Sequence, residues 1–540
     1  MSSRRRERRP EGQAGPAAPA RVPPPASLDR RLAITCVVLT TLAATLMRVW
    51  FPVVWHEAGT PASAFYQGDT RAFLAYAADL VAGRPFDNGI PFHPPGWPFV
   101  LALFYRVMGF SPLAGRPIDP DAIKVFVAAI SGLAVGLSTL LAGELAGTGA
   151  MLAVALLGTF HFGHIVEGTT PNSEALYGLL LVVALLLAWS WLRHTGDRAP
   201  GRGRRWIRPL LLGAVCGFAT LVRAEFELCA ALLLAARWLP TLPRRGRVSE
   251  SAAFVVGLVL LLAPSTVAHW RSLSAFNAAH TSDFPGPLPT FAPVTSYGAF
   301  NFAMGNHENA DGEPNSDHPL LATCTPEESK LLAEGQLDLS CPAVYDLFVH
   351  GYGIGASWLV THPARALWLI GRRASMTSGV FALGYFAGDL PAGVDGVRRR
   401  ADLLDPADRI LWPVHLALII AGALLLWRRR QVQALVLLAL PLITLAASAL
   451  LFYGYVRLGV AYLPVFWVLE GTALAALAGR VVAAPRIRRQ APAVVLAIGL
   501  AALALQAVAG SSPRPLILTG PRQPDGRLIQ DETIRIRQAP

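Results

Sequence analysis

Long apolar runs alternate with short polar segments along almost the whole chain. The first run extends from about Leu32 to Val54, and others lie near 122–146, 150–166, 173–192, 208–222, 225–240, 251–270, 410–427, 432–452, 456–479 and 491–510. Most are long enough for a helix to reach across a hydrocarbon core of about 30 Å, so the pattern predicts about eleven spans. The two short runs on either side of Arg223 read as two spans or as one broken unit. Between the first and second runs the period changes. From Asp69, residues Phe73, Leu74, Ala77, Leu80 and Val81 make a helical stripe closed by Gly83. Pro94, Pro95 and Pro98 open a second amphipathic stretch, "FVLALFYRVMG", that Gly109 ends. Both suit helices lying on a membrane surface, with His93 in the turn between them.

Composition confirms the class. Of 540 residues 53% are hydrophobic and 15% charged, which excludes a string of soluble domains. The net charge of +12 sits in short segments between apolar runs, so it reports membrane orientation and not nucleic-acid binding. Residues 1–30, rich in Arg, Pro and Ala, read as a disordered basic tail. The run that follows is too long for a cleaved signal core and ends in the aromatic "VWFPVVW", so it is read as an uncleaved span.

With the tail in the cytoplasm, "RHTGDRAPGRGRRWIR", "RRGR", "RRR" at 428–430 and "RIRR" at 486–489 all fall inside. Loops at about 55–121, 167–172 and 271–409 are then exported. The expected organisation is a tail, a membrane domain over 31–480, and a last span with an exported tail over 481–540. Cys36, Cys216 and Cys229 lie in apolar runs and read as small buried hydrophobes. Cys324 and Cys341 share the long loop, and whether they pair is left open.

The residues of the first loop have bland roles available. Asp69 stands where an N-cap belongs, and a solitary His93 suits a loop hydrogen bond. However, the order of first span, acidic residue, amphipathic helix and "PFHPPGWPFVLALFYRVMG" resembles the first periplasmic loop of GT-C glycosyltransferases. It is most similar to bacterial relatives of protein O-mannosyltransferases and aminoarabinose transferases. "PVTSYGAFNFAMGNHENADGEP" resembles a segment of their long exported loop, "GYVRLGVAYLPVFWVLEG" a helix start in them, and "FATLVRAE" their L-T-R-P segment, with Ala224 in place of proline. Thr70 stands where a second acid is common, and His93 where the aminoarabinose enzymes have lysine.

The resemblance implies an all-α polytopic GT-C fold in a bacterial cytoplasmic membrane, and transfer of a sugar from a polyprenyl phosphate to a glycan, lipid or protein acceptor. It casts Asp69 as base, with Glu174 as a second catalytic carboxylate. Arg223, Arg457 and His93 are the candidates for the donor phosphate. Tyr66, Glu167, Asn301 and Asn306 are candidates for sugar or acceptor. Snorkelling for the arginines and helix-terminus electrostatics for Glu174 are the structural alternatives. No cofactor is firmly expected; a divalent cation at His307, Glu308 and Asp311 is conceivable, although their spacing is no recognised ligand pattern. A transporter or lipid flippase is the rival class, and a non-catalytic assembly subunit a third.

Overall fold

The computed structural model describes residues 29–54, 69–84, 90–116, 119–193, 206–239, 242, 246–280, 284–312, 318–325, 339–381 and 395–482. Tyr66, the basic tail and the predicted span at 491–510 lie outside the described residues. The described part is an all-α polytopic membrane protein. Helix α1 (Arg30–Val54) is followed by α2 (Thr70–Ala82), α3 (Gly96–Met108), α4 (Pro120–Ala146), α5 (Thr148–Phe160), α6 (Phe162–Glu167) and α7 (Glu174–Arg193). Next come α8 (Ile207–Val222), α9 (Phe226–Ala236), α10 (Arg247–Ala279) and α11 (Gly298–Gly305). The remainder is α12 (Pro342–Thr361), α13 (Pro363–Ser378), α14 (Asp395–Arg428), α15 (Val432–Leu451), α16 (Val456–Val460) and α17 (Leu463–Val482). Among the described residues, five helices are long and apolar enough to cross a membrane, within α1, α4, α7, α10 and α15.

Ten of the eleven predicted apolar runs fall on described helices, but two runs are broken. The run at 150–166 breaks at His161, and that at 456–479 breaks at Ala461–Tyr462, leaving the short α16. The runs around Arg223 are two helices, α8 and α9, with Arg223 at their junction. The surface helices are as predicted: Gly83 (φ 69°) and Gly109 (φ 73°) close α2 and α3 in the left-handed conformation, which costs glycine little.

Between lipid-facing helices, close backbone approach replaces the aqueous hydrophobic drive. Gly213 and Gly217 of α8 form a small-xxx-small face against α10: a β-carbon on Gly213 would lie 1.9 Å from the Phe254 carbonyl. Gly96 does the same job at the site. A β-carbon there would lie 2.7 Å from the backbone of Leu221 and Val222, so the start of α3 is pressed onto the end of α8, beside Arg223.

Within the segment 271–409, expected to be exported, the described residues include a folded unit. Its buried side chains, including Leu273, Phe276, Leu288, Phe300, Met304, Leu347 and Phe348, form a second hydrophobic core that also takes in Ile90. Cys324 and Cys341 are joined by a disulfide in this unit, which settles the pairing left open above. Ser296 donates from its backbone N–H to the Pro91 carbonyl (2.8 Å), and the Tyr297 ring stacks on Phe92 at 4.3 Å. These contacts fasten the unit to the His93 turn.

Candidate active site

Asp69 precedes α2, yet its side chain makes no capping hydrogen bond. The capping role is not the one it takes. Oδ2 instead receives Nη2 of Arg457 at 2.6 Å, across 388 residues of sequence. The next residue, Thr70, donates to Oδ1 of Asn172 at 2.7 Å, and the Trp97 indole donates to the Pro171 carbonyl at 2.8 Å. Helices α2 and α3 thus both hold the loop before α7, and this brings Glu174 beneath Asp69's partner.

Arg457 reaches that carboxylate too, with Nε 2.8 Å from Oε1 of Glu174. Arg223 Nη1 meets the same oxygen at 2.8 Å, while its Nε donates to Oε1 of Glu225 at 2.7 Å and its Nη2 to the Tyr455 hydroxyl at 3.4 Å. One continuous row results: Asp69, Arg457, Glu174, Arg223, Glu225. Two guanidiniums serve three carboxylates. Such charge-assisted bonds are individually strong, and the shared Oε1 makes them a unit. Glu174 is 1% exposed, whereas Asp69 is 46% exposed.

Asp69 opens into a cavity of about 700 Å³ whose wall includes Arg457, Arg223, Glu225, Glu227, His93 and Tyr297. Burial by the surrounding walls works to raise the Asp69 pKa, but the charges of Arg457, His93 and Arg223 outweigh it and hold the carboxyl below its usual value. Burial, with Asp69 next, pushes the Tyr297 phenol up, so its hydroxyl remains a donor at neutral pH.

Asp69, Glu174, Arg223 and Arg457, each singled out in sequence, are therefore brought together. His93 lines the same cavity, its ring edge-on to Phe73, Tyr76 and Phe92 at 4.9–5.6 Å. Asn301 also lines it, and accepts from the Tyr453 hydroxyl at 3.5 Å. Glu167 is buried below the wall, close enough to add to the negative field at Arg457. Asn306 does not reach the cavity. Its amide donates to the Phe302 and Leu451 carbonyls at 2.8 Å and its oxygen accepts from Arg373, so it ties α11 to α13 and the end of α15. His307 is buried against His318 while Glu308 and Asp311 are exposed. Among the described residues no three His, Cys, Asp or Glu side chains converge as a metal would need.

Glu225, Glu227, Tyr297 and Tyr455 were not foreseen. "RAE" and "YVR" place an acid and a phenol two residues from each arginine, a signal visible only once the arginines are known to face one site.

No protein-family model and no curated protein matches the sequence. Solved structures do. An archaeal oligosaccharyltransferase, AglB from Archaeoglobus fulgidus, in complex with an inhibitory peptide and a dolichol-phosphate, aligns over 90% of this chain with TM-score 0.53 and 14% identity. Its apo form aligns over the same share with TM-score 0.51 and 13% identity. The chain therefore shares a fold with these oligosaccharyltransferase structures over that stretch. The chain spans only 56% of the oligosaccharyltransferase chain in either structure. The aminoarabinose transferase ArnT from Cupriavidus metallidurans, bound to undecaprenyl phosphate, aligns over 84% of this chain and 80% of its own, with TM-score 0.34 and 14% identity.

Proposed function

We propose that the protein transfers a sugar from a polyprenyl phosphate to an acceptor hydroxyl at the exported face of a bacterial cytoplasmic membrane. The observation that carries this reading is the pairing of Asp69 with Arg457 at the wall of a roomy cavity, with a second arginine in the same row. A base and two fixed cations are what a displacement at the anomeric carbon requires.

In this reaction the acceptor oxygen bonds to the anomeric carbon as the bond from that carbon to the phosphate oxygen breaks. The phosphate keeps the electron pair and leaves as polyprenyl phosphate, and the hydroxyl proton passes to Asp69. Arg457, with Arg223 behind it, stabilises the charge that develops on the phosphate. Glu174 holds the two guanidiniums at a fixed separation. Tyr297, Asn301 and His93 line the same cavity and contribute hydrogen-bonding groups for the sugar.

The basic segments support an orientation with this cavity outside. A cysteine engineered at the exposed Asn309 should react with an impermeant thiol reagent in intact cells, and one at the exposed Arg429 should not; the reverse pattern overturns the orientation. The test of function is sugar transfer in membranes supplied with polyprenyl-phosphate sugars. Asp69→Asn should insert and fold normally but lose most transfer, since asparagine keeps the shape but accepts no proton. Full turnover in this variant contradicts the assignment and favours a transporter.

A further inference from the structure

If a donor phosphate binds Arg457, as the reading above has it, something must first leave. Arg457 already holds Asp69 and Glu174, and Arg223 already holds Glu174, Glu225 and Tyr455. Neither cation stands open to a new anion.

The three carboxylates differ in how easily they can move. Glu174 is 1% exposed and bridges both guanidiniums, so displacing it strands two part-buried cations at once. Glu225 is 18% exposed and is held in the same turn as its partner, two residues away. Asp69 is 46% exposed, faces the cavity, touches only one of the guanidiniums and makes no capping bond to its own helix. Moving it breaks a single part-solvated ion pair, the kind that contributes least.

We propose that Asp69 is a displaceable latch: the lipid phosphate takes its place on Arg457, and the released carboxylate is then free to face the acceptor hydroxyl. Binding is ordered as a result, donor before acceptor. While the latch is closed, Asp69 is engaged by a guanidinium and is a poor proton acceptor; the donor's own charge unmasks the base. The same competition makes the site selective, because a phosphate-bearing lipid can evict a carboxylate from a guanidinium and a neutral glycolipid cannot.

The test is the affinity of undecaprenyl phosphate for the purified full-length protein in lipid nanodiscs. Asp69→Asn and Asp69→Ala should bind it about two- to fivefold tighter than wild type, as removal of a part-exposed competing ion pair implies. Arg457→Gln should bind it more weakly. Glu227→Gln is the control for general charge, since Glu227 lines the same cavity and makes no ion pair among the described residues; it should tighten binding less than either Asp69 variant.

Unchanged or weaker binding in both Asp69 variants, with Arg457→Gln still impaired, overturns the latch and leaves the proposed function standing. Equal tightening by Glu227→Gln assigns the effect to net charge and also overturns it. Absence of binding by the wild type removes the lipid-phosphate reading and the latch with it.

Discussion

Two arginine–carboxylate clusters sit at different places in the helical bundle, and they are built on opposite principles. In one, Arg237 at the end of α9 meets Glu250 in α10 at 2.7 Å, and the Trp191 indole donates to the same carboxylate oxygen at 3.0 Å. Arg237 is fully buried, and the Glu250 oxygen that it meets also accepts from a tryptophan. In the other, two arginines serve three carboxylates drawn from distant parts of the chain, and one end of the row lies open in a cavity. A buried pair contributes little net stability but is damaging to break, which marks it as a structural tie. An unbalanced row with an accessible end is suited to exchange one partner for a ligand. Charge in a membrane protein is therefore read here by its access to a cavity, and not by its presence.

The largest expected effect separates the two clusters by function. Asp69→Asn should lower sugar transfer about 10²- to 10⁴-fold, the range for loss of a general base, with an unchanged melting temperature. Glu250→Gln should do the reverse: it removes the carboxylate that faces the buried Arg237 and lowers stability by about 3–5 kcal/mol, while folded protein keeps its turnover. Thermal unfolding in detergent alongside the transfer assay checks both. If Glu250→Gln abolished transfer in well-folded protein, the distinction would collapse.

Glu174→Gln sharpens the comparison because Glu174 belongs to both categories, being buried like Glu250 yet part of the open row. It should lose transfer and stability together, the latter by about 3–5 kcal/mol.

The folded unit between α10 and α14 supplies smaller effects. Cys324 and Cys341 close a loop of 17 residues, and Cys324→Ser should lower that unit's stability by about 3 kcal/mol, measured by protease sensitivity. The smallest effect concerns pH. Burial, with His307 next, lowers the His318 pKa from 6.5 to about 4. The unfolded chain binds this proton at higher pH than the folded one, so the stability of the unit should decline as pH falls from 6.5 toward about 4. His318→Gln should flatten that part of the profile.

Much of the fold was legible in the sequence because spanning helices impose long apolar runs that nothing else requires. The surface helices α2 and α3 were legible through Gly83, Gly109 and the prolines before them. Breaks at His161 and Ala461 were not, since the apolar run continues through each and only tertiary contacts decide where it bends. Helices α12 and α13 were missed within a segment of mixed polarity, although each has proline at its first position. At the site, Asp69, Glu174, Arg223 and Arg457 could be named one by one, but their meeting could not, because Asp69 and Arg457 are 388 residues apart. Asn306 shows the converse: an asparagine in a promising segment is occupied with backbone carbonyls.

The most direct measurement of the central claim is mass spectrometry of the lipids that remain bound to the purified protein. A polyprenyl phosphate, free or carrying a sugar, should be found in wild type and in Glu250→Gln, and should be lost in Arg457→Gln. Retention of that lipid by Arg457→Gln, or its absence from the wild type, would contradict the claim that the Asp69–Arg457 cavity holds a lipid-linked sugar donor.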